Sequence, residues 1–227
     1  MSSSPSHIYA EEEDAAAGVP SALVQNSLAL KLLNERLRPD KRYHFLDIGP
    51  ALQENIDFCS QYAGKVYIED LYYTLSLRAA SASAAPAQRE AEELDEPPSP
   101  EEVFYRNITE CLLPYGSDTR FDVIFTWDLF NYLAREPLQQ LIGRLSKFCN
   151  PGAYLFALVS TRVNIPSQPL EYRIIGQDKL IYGAGSSIER PHPRYREVNL
   201  LKMMPGFRTD KSFLLRNGIQ EYLFVYK

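Results

Sequence analysis

Cysteine, histidine and tryptophan are scarce in this chain: three, three and one among 227 residues. Cys59, Cys111 and Cys149 stand far apart with no CxxC pair, and His7, His44 and His192 are equally scattered. That spacing excludes a disulfide scaffold and a zinc ribbon, offers no metal site, and points to a reducing, cytoplasmic setting. No apolar run approaches the ~18 residues of a membrane-spanning helix, and the mean hydropathy is −0.29. No basic leader precedes an apolar stretch, so no secretion signal is expected. The GxGxxG run of a dinucleotide site is missing, which weakens any reading of the chain as a binder of some other nucleotide-like ligand. What is present suffices for one domain with trimmings: 45% hydrophobic and 12% aromatic residues can bury a sizeable core.

Charge is distributed unevenly. Residues 1–20 hold four acids and no Lys or Arg, and residues 79–102 hold seven acids against the single base Arg89. Against a whole-chain charge of −5, the remainder is left at +5. The head (1–19) is Ser/Ala/Glu-rich, and the internal stretch is Ala/Ser-rich, then Pro/Glu-rich. Both are expected to be disordered, the second as an acidic insertion in a loop of a single domain over 20–227. Either could draw a basic protein partner. A core charge of +5 is too thin for nucleic-acid binding.

The rest alternates helix and strand. Apolar spacing from Leu23 to Leu37, opened by Pro20 and closed by Pro39, predicts a helix over 20–39. YHFLDI (43–48) reads as a strand, 52–63 as a helix, KVYI (65–68) as a second strand and VFYRNI (103–108) as a third. FDVIFTW (121–127) and AYLFALVS (153–160) are near-continuous apolar strands, separated by an amphipathic helix over 138–149 and a turn at Asn150-Pro151-Gly152. Such strands separated by helices imply a parallel sheet covered on both faces. A helix over 196–204 then leads to two alternating runs around Asn217-Gly218, the pattern of a type I′ hairpin. The expected architecture is α/β: a Rossmann-like, doubly wound, mostly parallel seven-stranded sheet with an antiparallel C-terminal hairpin.

The order of several short pieces resembles the class I S-adenosylmethionine-dependent methyltransferases. They are Phe45-Leu46-Asp47-Ile48-Gly49, Glu69 ending the second strand, and Phe121-Asp122-Val123-Ile124 leading to Trp127-Asp128. Asn150-Pro151-Gly152 and Pro205-Gly206-Phe207 complete the set. The resemblance spans 25–78 and 103–227. It implies S-adenosyl-L-methionine as cofactor, with Asp47, Gly49, Pro50 and Ala51 along its methionine and ribose side. Glu69, with Asp70 as its neighbour, would hold the ribose, Asn107 and Ile108 would approach the adenine, and Thr126 and Trp127 would lie between cofactor and substrate. Independently of the name, Asp47 and Glu69 are 22 residues apart, close to the roughly 20 separating a first-strand loop from a ribose-binding acid. A loop after a parallel strand also lies at the sheet edge where open α/β folds bind ligands.

The chain departs from the family at its glycine-rich loop. Ala51 and Gln53 stand where further glycines are expected, and Pro50 stiffens the loop. The plainer reading is a strand that ends in a turn, with Asp47 capping the next segment. The Asn/Asp-Pro-Pro-aromatic signature of amino methyltransferases acting on bases is absent. Asp128 is the candidate catalytic residue, as acceptor or orienter of a substrate proton, although methyl transfer from an activated sulfonium needs little beyond positioning. Residues 161–195 are expected to cover the site, with a β-hairpin around Gly176-Gln177-Asp178-Lys179. Tyr132, Arg162, Arg173 and Tyr182 are the candidate substrate contacts; the last three, with Tyr172, Arg190, His192, Arg194, Tyr195 and Arg196, make a basic, aromatic rim suited to an anionic small molecule. His192, between two prolines, reads as a loop residue. The residues leave two functions open: methyl transfer to a small-molecule or protein acceptor, or a catalytically inactive descendant of the fold acting through protein contacts. Fold alone does not choose between them.

Overall fold

In the computed structural model, which describes residues 22–84, 108, 111–112, 114–183 and 185–227, the apolar runs pair into a six-stranded sheet. The chain begins with β1 (Leu23–Asn26), α1 (Leu28–Arg36), β2 (Tyr43–Asp47), α2 (Gln53–Ser60), β3 (Ala63–Ile68) and α3 (Leu71–Ala84). Then come β4 (Phe121–Trp127), a 3-10 turn (Leu129–Tyr132), α4 (Arg135–Ser146) and β5 (Cys149–Ser160). Four short strands come next: β6 (Asn164–Pro166), β7 (Tyr172–Gly176), β8 (Lys179–Tyr182) and β9 (Glu189–Pro191). The chain closes with α5 (Glu197–Met203), β10 (Phe207–Leu214) and β11 (Ile219–Tyr226).

The main sheet runs β3-β2-β4-β5-β11-β10. Strands β3, β2, β4 and β5 are parallel, whereas β11 is antiparallel to both β5 and β10. Alternate side chains of the central strands supply two cores. Leu46, Ile124, Leu155 and Phe224 pack with α3, α4 and α5 on one face. Phe45, Val123, Phe125, Phe156 and Leu223 pack with α1 and α2 on the other. This is a doubly wound α/β arrangement, with the expected antiparallel C-terminal pair in place. The described residues contribute six strands to it rather than seven. The expected strand over 103–108 lies outside them except for Ile108, which is fully buried in the first core.

Local expectations are corrected in several places. The predicted helix over 20–39 begins only at Leu28, because Leu23–Asn26 pair antiparallel with β8 and Ser27 caps the helix by accepting from the Leu30 N–H at 3.1 Å. The helix placed at 138–149 runs from Arg135 to Ser146. The Asn150-Pro151-Gly152 turn is absorbed into β5, where Gly152 takes φ +84 and the pairing with β4 skips between Phe121 and Val123. The C-terminal hairpin is not type I′: of Asn217 and Gly218, only Gly218 has positive φ, at +83. The Gly218 N–H instead donates to the Leu215 carbonyl at 3.1 Å, and the Leu215 N–H donates to Ile219 at 2.8 Å, a longer turn closed by a glycine bulge. The β7–β8 hairpin falls where expected, with β1 added as a third strand. Helix α3 runs through Ala84, so the acidic insertion begins as helix; its remainder, like residues 1–21, lies outside the described residues.

Candidate functional site

After β2 the chain moves outward to β3 and then returns to the other side of β2 to make β4. At such a switch point the carboxyl ends of two neighbouring parallel strands part and open a crevice. Here the crevice is bounded by Asp47 and Gly49 after β2 and by Trp127 ending β4. Trp127 takes φ +48 where the β4–β5 register slips, a conformation costly for a bulky side chain. Its indole Nε1 donates to Asp47 Oδ1 at 2.6 Å, and the Gly49 N–H donates to the same oxygen at 2.9 Å. The ring is stacked on Phe125 (5.0 Å, 11°) and lies parallel to Tyr172 (6.1 Å, 5°). It sits on Gly49 so closely that a Cβ there would come within 2.7 Å of Trp127 Cδ1. Burial pushes the Asp47 carboxyl up to about 6, against the downward pull of the Trp127, Gly49 and Asn55 hydrogen bonds.

Of the other expected cofactor contacts, Glu69, Asp70 and Thr126 have partners within the protein. Glu69 is buried, and its Oε1 accepts from the Tyr115 hydroxyl. Asp70 accepts from the Tyr73 N–H at 3.0 Å, at the start of α3. Thr126 is buried and donates to the Phe156 carbonyl at 3.0 Å. Pro50 is half-buried, Ala51 is exposed, and Asn107 lies outside the described residues. Gly49 and Asp47 are expected to line S-adenosylmethionine, and the Trp127 indole fills the space beside the Gly49 Cα and holds Asp47 Oδ1. The residues as placed do not fit that group. Among the described residues no cluster of three or more His, Cys, Asp or Glu side chains could hold a metal ion.

Beyond Trp127 a cavity of about 240 Å³ opens at the carboxyl ends of β4 and β5. Asp128, Tyr132, Arg162 and Tyr182, all expected from the sequence, line it. Asp128 is buried, its Oδ2 accepts from the Leu170 N–H at 3.1 Å, and burial pushes its carboxyl up to about 7. The Tyr132 hydroxyl donates into the carbonyl pair of Pro166 and Gln168, tying β6 and the following loop over the site. Arg173 is a correction: it pairs with Glu171 at 2.6 Å and reaches Glu54 at 3.6 Å, away from the cavity. His192 bonds through Nε2 to the Arg162 carbonyl, a loop role as expected. Tyr172, expected in the rim, also lines the cavity, whereas sequence reading missed Asn131, Ser160, Glu189 and Asn217. Asn131 alone carried a signal, since it comes only four residues after a strand end; the others belong to three further segments that only the fold brings together.

No protein-family model and no curated protein sequence matches the chain. Solved structures are similar to it in fold. A S-adenosylmethionine-dependent methyltransferase from Clostridium acetobutylicum is 10% identical, over 87% of this chain and 90% of its own, at TM-score 0.46. One from Methanosarcina mazei is 14% identical, over 86% and 96%, at TM-score 0.43. The glycopeptide N-methyltransferase MtfA is 10% identical, over 87% and 92%, at TM-score 0.45. Among the described residues no helix is long and apolar enough to cross a membrane.

Proposed function

We propose that this chain is a methyltransferase-fold protein that works as a binding module, without the methyl donor in the usual crevice. The observation that carries this reading is the Trp127 indole seated on Gly49 and bonded to Asp47 Oδ1 at 2.6 Å. A ligand of the module would enter the cavity beside Asp128, under the segment over 161–195, which the sequence marks as a cover. Buried Cys59 and Cys149, held as thiols, agree with a reducing, cytoplasmic setting.

The rival reading is methyl transfer from S-adenosylmethionine to a small-molecule or protein acceptor. It draws on the position of the cavity, which lies where a substrate would meet a cofactor bound across the switch point, with Asp128 at hand to orient a proton. Calorimetric titration of the folded protein with S-adenosylmethionine and S-adenosylhomocysteine separates the two. No heat of binding up to millimolar ligand is the expected result. Micromolar binding that is lost on Glu69→Ala would return the chain to the enzymes.

A further inference from the structure

The rim that the sequence presents as basic is, in the folded chain, the lining of an acidic cavity. Of the arginines expected there, Arg173 is spent on Glu171 and Glu54 outside. Among the described residues Arg162 is the one arginine in the lining, its Nε donating to the Asn217 carbonyl at 3.1 Å. Arg190, next along β9, acts on the Tyr72 and Tyr132 hydroxyls. Against these, Asp128 and Glu189 both line the space, and Asp128 does so from a buried position with no ion-pair partner among the described residues. The walls are aromatic: Tyr132, Tyr172 and Tyr182, the last two with ring centroids 5.1 Å apart.

Tyr172 supplies a second, independent observation. It is 3% exposed, and among the described residues its hydroxyl makes no hydrogen bond, although its backbone carbonyl accepts from Asn55 Nδ2 at 2.9 Å. Among the described residues the sealed polar atoms without a partner are Arg144 Nε and Thr209 Oγ1, so the Tyr172 hydroxyl is open to the cavity that the residue lines and can bond to whatever enters. Tyr172 and Asp128 line the same space. A buried carboxyl, an unpartnered hydroxyl and tyrosine faces together match one kind of guest. Ammonium groups pair with carboxylates, donate to hydroxyl oxygens and are attracted to aromatic faces.

Resting on the binding-module reading above, we propose that the cavity holds a small organic cation: a primary amine on a short apolar body, its ammonium set between Asp128 and Tyr172. A free volume of about 240 Å³ admits a guest of the size of a phenylalkylamine. Trp127, the only tryptophan, lies parallel to Tyr172, so occupancy is read directly from its fluorescence.

Three probes of one shape and different charge test this: 2-phenylethylamine, 2-phenylethanol and 3-phenylpropionate, titrated against the full chain with Trp127 emission as readout. The amine is expected to bind at least tenfold more tightly than the alcohol or the acid. Asp128→Asn should abolish that preference, and Tyr172→Phe should weaken the amine severalfold while leaving the alcohol unchanged. A preference for the acid, equal binding of all three, or no binding of any at 10 mM overturns the proposal. If Asp128→Asn fails to fold, Tyr172→Phe with the charge series still decides it. A parallel titration with S-adenosylmethionine keeps the two conclusions apart. Binding of both would leave the cavity assignment standing and remove the binding-module reading, whereas binding of neither would do the reverse.

Discussion

Gly49 shows how much one residue can decide. With no side chain it lets the Trp127 ring lie flat on the loop, and its N–H shares Asp47 Oδ1 with the indole. Gly49→Ala would push a methyl group to 2.7 Å from Cδ1, and overpacking of that kind costs ~1–3 kcal/mol. Urea denaturation should show that loss together with a shifted Trp127 emission. Unchanged emission would mean that the ring does not rest on Gly49. The sequence marked Asp47, Gly49 and Trp127 as neighbours of one site. It offered no means of seeing that they would bond to one another, because nothing in a strand pattern reports a tryptophan at φ +48.

At the level of elements, the junction between β1 and α1 shows why a helix read from periodicity can start too early. Leucines at helical spacing also suit a short edge strand, and pairing with β8 takes Leu23–Asn26 into the smaller sheet. Helix α1 is held at its start by two oxygens: Ser27 Oγ on the Leu30 N–H, and the buried Glu221 carboxylate of β11 on the Ala29 N–H at 3.0 Å. Burial raises the Glu221 carboxyl, and the Ala29, Ser27, Leu28 and Gln25 hydrogen bonds hold it down. A carboxylate at a helix N-terminus also meets the positive end of the helix dipole. Ser27→Ala is expected to cost ~1 kcal/mol as a lost cap. Glu221→Ala should cost roughly 1.5–3 kcal/mol, as hydrogen bonds to a charged group are lost. Denaturant midpoints measure both, and a Glu221→Ala loss smaller than that of Ser27→Ala would demote the carboxylate to a bystander.

For the molecule as a whole, the two buried aspartates tie stability to pH. Asp47 is raised to about 6 and Asp128 to about 7, in both cases chiefly by burial. In the unfolded chain they would ionise near pH 4. Between about pH 4 and 7 the unfolded state therefore releases protons that the folded state retains. The contribution of these groups to stability is complete below pH 4, falls through that window and levels off above it. Asp128→Asn should flatten part of the fall when denaturation is followed from pH 4 to 8, since the amide can still accept from the Leu170 N–H. A slope identical to that of the parent would place the Asp128 titration elsewhere. The buried Cys149 thiol, raised to about 12, and Cys59, raised further, should resist iodoacetamide at pH 8 until the chain unfolds.

The amino-acid sequence by itself determined the layered α/β plan, because apolar runs such as Phe121–Trp127 can be buried on both faces only inside a covered parallel sheet. It also determined the carboxyl-edge position of Asp47, Glu69 and Asp128, since strands end where their apolar runs end. Tertiary structure alone decided what those residues touch. Trp127 reaches Asp47 across 80 positions, Leu170 reaches Asp128 across 42, and Tyr172 meets Trp127 from a different sheet. Contacts between distant segments depend on how far each strand is twisted, slipped or bulged against its neighbour, and local residue pattern does not carry that information. The sign of charge in the cavity was fixed at the same level. The arginines of 161–195 are plain in the chain, but only folding turned Arg173 outward onto two glutamates and set Asp128 and Glu189 against Arg162 alone among the described residues of the cavity lining.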